Sequence, residues 1–150
     1  MNQWAQLRQV GFGTLDHTAA VQTATELLEL GPGFDDPVLG PLDLPAARTA
    51  HAARTTKVDD ILAVDVAVDT ANPTGFADPA ALARTWAAII GIAPPAVTAD
   101  GAELAFGHRT IRFVAARNDR TGIVAVDLHA TDRQNPLPPG DLCHTQIRFV

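Results

Sequence analysis

The sequence predicts an α+β protein built on a duplicated strand–helix–sheet module, and three observations lead there. Three stretches echo one another: Leu7–Asp16 (LRQVGFGTLD), Ile61–Asp69 (ILAVDVAVD) and Ile123–Asp132 (IVAVDLHATD). Each alternates apolar and other residues with period two, as a strand does when its two faces meet different surroundings. The first two lead into segments with an acidic start, a helical apolar stripe and a glycine stop. Hydrophobic residues make up 47% and charged residues 19% of the 150 residues, enough for the core of one domain or of two fused half-domains.

The first strand covers about Leu7–Thr14, with Val10 and Phe12 opposite Gln9, Gly11 and Gly13. A helix follows, capped by Asp16 or Thr18, with Val21, Ala24, Leu27 and Leu28 on one stripe. Gly31 and Pro32 stop it, because glycine accepts the left-handed conformation and proline cannot continue a helix. Residues 32–45 are so rich in proline and glycine that they predict a loop over the surface or over a pocket mouth. Ala46–Arg54 alternates weakly as a strand, and its alanine content leaves a helix open.

In the second module Leu62, Val64, Val66 and Val68 form an apolar face opposite Ala63, Asp65, Ala67 and Asp69. Asp78 caps a helix with Pro79 at its first position; Leu82, Trp86, Ile89 and Ile90 give it an apolar stripe and Gly91 ends it. Ala99–Gly101 is a turn, and Glu103–Phe106 pairs with Arg109–Ala116 around Gly107 and His108. Gly122–Ala130 is a further strand and His144–Val150 the last; IRFV recurs at Ile111–Val114 and Ile147–Val150.

The net charge of −6, with 11 basic residues, argues against a nucleic-acid surface. Arg117, Arg120 and Arg133 lie in loops broken by Asp119 and Asp132, where an anionic small molecule could still meet one local arginine, and no large polyanion is implied. The lone Cys143 excludes an intrachain disulfide and a cysteine-based zinc site. The start lacks a signal-peptide core, and no apolar run approaches the roughly 20 residues of a membrane helix. A cytoplasmic protein without a membrane partner is the expectation. The bias to Ala, Arg, Asp, Pro and Thr suggests a high-GC bacterial source.

LRQVGFGTLD with LLELGPGFDDP resembles the first module of bacterial glyoxalase-like proteins of the vicinal oxygen chelate superfamily. ILAVDVAVD, the Trp86 helix and TIRFVAA resemble the second. The resemblance implies paired βαβββ modules with curved sheets facing each other across a cavity. It implies one domain over 1–150, with an abbreviated first module at 7–58, a second at 59–130 and an extension at 131–150. The family's metal positions fall on Gln9, on Ala63, which cannot bind a metal, and near Asp127. Fewer than three ligands survive, so no metal or other cofactor is expected.

Strand parity gives a second constellation: Gln9, Asp65, Asp127 and His129 share the face opposite the valines. Asp127 and His129 are two residues apart, hence on one face and roughly 7 Å apart, so an aspartate orienting an imidazole for acid–base work is conceivable. A solvated polar face is the plainer alternative. Asp127, His129 and Asp65 are therefore the catalytic candidates, and Gln9, Phe34 and His51 the ligand-binding ones. Two functions follow as expectations: a small-molecule-binding glyoxalase-like protein with a degenerate metal site, or a glyoxalase-like lyase, isomerase or hydrolase of a small oxygenated metabolite, working by Asp/His acid–base chemistry or with a divalent metal's assistance. An abbreviated first module would leave apolar sheet uncovered, so a homodimer is expected under either.

Overall fold

The computed structural model describes residues 16–28, 57–71, 77–134 and 137–150. These form helices α1 (His17–Leu28) and α2 (Pro79–Ile90) and strands β1 (Val58–Val68), β2 (Ala96–Thr98), β3 (Gly101–Phe106), β4 (Arg109–Ala115), β5 (Gly122–Ala130), β6 (Gly140–Leu142) and β7 (Thr145–Phe149). The fold is α+β, with one mixed seven-stranded sheet in the order β2-β3-β4-β1-β5-β7-β6. Residues 7–15 and 29–56, which carry most of the expected first module, lie outside the described residues.

The local signals act where the sequence puts them. The Asp78 carboxylate accepts the Ala80 N–H at 2.9 Å, and Pro79 fills the first helical position, where a missing N–H costs nothing. At the other end Gly91, with φ 75°, lets its own N–H and that of Ile92 both reach the Ala87 carbonyl, a Schellman-type stop. Asp16 caps α1 by accepting the Ala19 N–H at 2.9 Å.

Which face of α2 is buried differs from the expectation. Ala80, Ala83 and Ala87 face the sheet, against Leu104, Ile111 and Phe113, and partly buried Leu82 packs beside them. Trp86 stays 37% exposed, its ring edge-on to Phe113 with centroids 5.2 Å apart, and Ile89 is 78% exposed. The alanines let the helix approach the sheet closely, so the larger side chains project past its flanks.

β1 and β5 pair antiparallel at the centre, with Val64 opposite Val126. On either side of that pair Ala63 faces Asp127 and Asp65 faces Ala125, so AVDV and AVDL are related by a local two-fold axis. The relation extends outward: β4 runs parallel to β1 and β7 parallel to β5, each the second strand of a hairpin and each carrying IRF. α2 covers the β3–β4 side, and α1 packs Ala24, Leu27 and Leu28 near Val126, Leu128, Leu142 and Ile147 on the other.

Three irregularities break the β1–β5 ladder, at Asp59 and Leu62 on β1 and at Val124 on β5. Each is an extra residue opposite a single step of the partner, and an extra residue changes which side chains share a face. The bulge at Leu62 is why Ile61, not Leu62, joins Val64 against the α1 cluster.

Candidate functional site

The face of the sheet away from the helices carries the polar chemistry. Register sets Asp65 beside Arg112 on the parallel pair β1–β4, and Asp127 beside Arg148 on the parallel pair β5–β7. Arg112 donates from Nε to Asp65 Oδ1 and from Nη2 to Asp127 Oδ2, both at 2.5 Å. Arg148 mirrors it, donating from Nε to Asp127 Oδ1 at 2.5 Å and from Nη2 to Asp65 Oδ2 at 2.9 Å. Two aspartates and two arginines thus close a neutral ring in which every carboxylate oxygen accepts from a guanidinium. The carboxylates are the more deeply set, at 14% and 11% side-chain exposure against 29% and 32% for Arg112 and Arg148. Burial works to lower the Arg112 pKa, but hydrogen bonds to Asp127 and Asp65 and their charges outweigh it and raise the pKa above the ordinary guanidinium value.

A cavity of about 750 Å³ opens beside the ring. Asp65 and Arg148 line it, and so do Ala67, Val114, Val124, Ala125, Gln146 and the turn residues Arg117, Asn118 and Arg120. It lies at the carboxyl ends of the parallel pair β1–β4, where open α/β sheets commonly hold ligands. The bulge at Val124 turns that side chain into the cavity wall.

At the opposite end of the central pair lies a smaller recess of about 360 Å³, lined by Asp59, Asp60, Leu62, His108, His129 and Arg133. His129 Nδ1 lies 2.6 Å from Asp59 Oδ1, and its Nε2 lies 2.9 Å from Arg133 Nη2. Since a guanidinium only donates, Nε2 is the unprotonated nitrogen and Nδ1–H donates to Asp59. His108 Nε2 meets Asp60 Oδ2 at 2.7 Å, and Arg109 meets Asp60 Oδ1 at 2.7 Å. Burial pushes the Asp60 pKa up, but the hydrogen bonds from His108 and Arg109 and the Arg109 charge prevail, leaving it below the ordinary carboxyl value. The bulge at Asp59 brings two consecutive aspartates within reach of two imidazoles.

Of the sequence-derived candidates, Asp65 and Asp127 meet in the ring. His129 shares the face of Asp127 but takes its hydrogen bonds from Asp59 and Arg133. Gln9, Phe34 and His51 lie outside the described residues. Arg112, Arg148, Asp59 and Asp60 were not anticipated, and Arg133 was singled out only as a loop arginine; the signal for the first two was the arginine repeated within IRFV. Cys143 and His144 are the two central residues of the tight β6–β7 turn, with φ 49° and 64°, rather than neighbours on a strand.

Among the described residues no three His, Cys, Asp or Glu side chains are grouped to hold a metal ion, and no helix is long and apolar enough to cross a membrane. No family model, curated protein or solved structure matches the chain.

Proposed function

We propose that the protein binds a polar small molecule in the cavity beside the Asp65–Arg112–Asp127–Arg148 ring. One observation carries this reading: a cavity of about 750 Å³ whose wall includes Asp65 and Arg148, two members of a preorganised, charge-balanced ring. Ligand sites typically span about 300–1,000 Å³ and combine small apolar side chains with a few fixed polar groups. Ala67, Val114, Val124 and Ala125 supply the apolar part, and Arg148 and Asp65 the polar part. Asp65 and Arg148 already hold each other, so these two side chains need no further ordering on binding.

A screen of polar metabolites by ligand-observed NMR tests this. Hits are expected that disappear in a Val124→Trp variant, which fills the cavity from its wall while keeping the wild-type unfolding transition. Hits that persist unchanged in that variant would contradict the reading.

An enzymatic reading, a lyase, isomerase or hydrolase of a small oxygenated metabolite, is favoured by a different observation, the tautomer fixed on His129 by Asp59. Displacement of Arg133 by substrate would expose a lone pair on an oriented imidazole, the requirement for a general base. Turnover by the wild type that survives unaltered in His129→Ala would dismiss it.

A further inference from the structure

The turn between β4 and β5 holds an arrangement that the Asp–Arg ring does not account for. Arg117 and Arg120 are paired across this turn, opposite each other in an antiparallel bridge. Asn118 and Asp119 form its tip in the left-handed conformation, φ 53° and 56°, which these two residue types tolerate better than any other save glycine. Cross-strand partners point to the same face with Cβ atoms about 5 Å apart, and like charges in that position repel. Arg84, Arg109, Arg112, Arg133 and Arg148 each meet an aspartate or a histidine. Among the described residues no carboxylate pairs with Arg117 or Arg120, although the chain carries 17 acidic residues. Both line the cavity wall, together with Arg148.

We infer that the cavity takes a phosphoryl-bearing small molecule, with its phosphoryl group between Arg117 and Arg120. This rests on the small-molecule reading above and gives its ligand a chemical class. A carboxylate can bridge two guanidiniums, as Asp65 and Asp127 do in the ring, but it brings one charge and two oxygens, whereas a phosphoryl group brings three oxygens and up to two charges and so answers two cations more fully. Bound there, the anion replaces repulsion between two cations with attraction to both. The rest of the wall suits a hydroxylated body. Asp100 and Asp141 stand on the flanks, on the β2–β3 turn and on β6, where they would accept hydrogen bonds from hydroxyls. Gln146 adds an amide able to donate or accept.

Calorimetric titration with ribose 5-phosphate, ribose and citrate tests the inference. Ribose 5-phosphate is expected to bind at least tenfold more tightly than either comparison compound, and to weaken as salt rises. An Arg117→Gln, Arg120→Gln double variant is expected to lose at least tenfold of that affinity while unfolding at the wild-type temperature, since neither side chain has a carboxylate partner among the described residues. Undiminished binding of ribose 5-phosphate in the double variant would overturn the inference, as would equal affinity for citrate. If ribose 5-phosphate fails to bind while uncharged hits from the metabolite screen remain sensitive to Val124→Trp, the phosphoryl inference falls and the small-molecule reading stands. If those hits are absent too, both fall.

Discussion

The two halves of the sheet carry nearly the same strand sequences yet are finished differently. On one side β1 and β4 lie under α2, which follows β1 in the chain and rests on alanines. On the other, β5 and β7 lie near α1, which precedes β1 and packs through Ala24, Leu27 and Leu28. A helix from another part of the chain thus serves the second half. What the halves share is the face away from the helices, where Asp65 and Asp127 on the central strands meet Arg112 and Arg148 on their neighbours. The repeat is kept where its copies must fit each other and is relaxed where each copy packs on its own.

The largest effect should separate the hairpins. Gly101 opens β3 with φ 151°, and a Cβ there would lie 1.9 Å from the Phe113 carbonyl oxygen. Gly101→Ala therefore strains the backbone and clashes with backbone, and should cost about 3 kcal/mol or more. Gly140 opens β6, where the atoms nearest a Cβ belong to the Leu27 side chain, the closest at 2.5 Å. Gly140→Ala should cost about 1 kcal/mol as Leu27 shifts rotamer. Chemical denaturation of the two variants checks this, and equal losses would deny the difference.

The ring should instead make the halves equal. Arg112→Met and Arg148→Met each leave two carboxylates half-satisfied. Breaking a fully buried pair costs roughly 3–5 kcal/mol, and partial exposure brings this down to about 2 kcal/mol here. The two variants should agree within about 0.5 kcal/mol in urea unfolding. A clear inequality would mean that the two-fold relation is geometric without being energetic.

A smaller effect concerns the end of β1 away from the cavity. The Asp60 pKa is lower folded than unfolded, so its stabilisation is present above the ordinary carboxyl range, near pH 4, and is lost as pH falls through the lower folded value. Asp60→Asn should flatten the acid limb of a stability-versus-pH curve. An acid limb as steep as that of the wild type would remove Asp60 from the account. Ile89→Gln should change stability by no more than about 0.5 kcal/mol, since Ile89 is 78% exposed on α2. A larger loss would show that this flank of α2 is covered in solution.

Much of the fold was legible. The Asp78 cap, the Gly91 stop, the Gly107–His108 hairpin and the Gly122–Ala130 strand follow from local chemistry, and local chemistry is what a sequence displays. The faces of β1 were legible only in part, because a bulge at Leu62 depends on the partner strand. α2 misled because Trp86 and Ile89 are apolar, while the contact is set by the alanines that allow close approach. The site was half legible. Asp65 and Asp127 stood out by parity, but their arginines lie 47 and 21 residues away and are brought in by a parallel pairing that periodicity does not reveal. The repeated IRFV was the available clue.

The ring is symmetric but the cavity is not: Arg148 lines it and Arg112 does not. Titration of one cavity ligand into Arg112→Met and Arg148→Met therefore tests the central claim most directly. Equal losses of stability should accompany unequal losses of affinity, at least tenfold for Arg148→Met and under threefold for Arg112→Met. Wild-type affinity in Arg148→Met, or the same loss in both variants, would contradict the account.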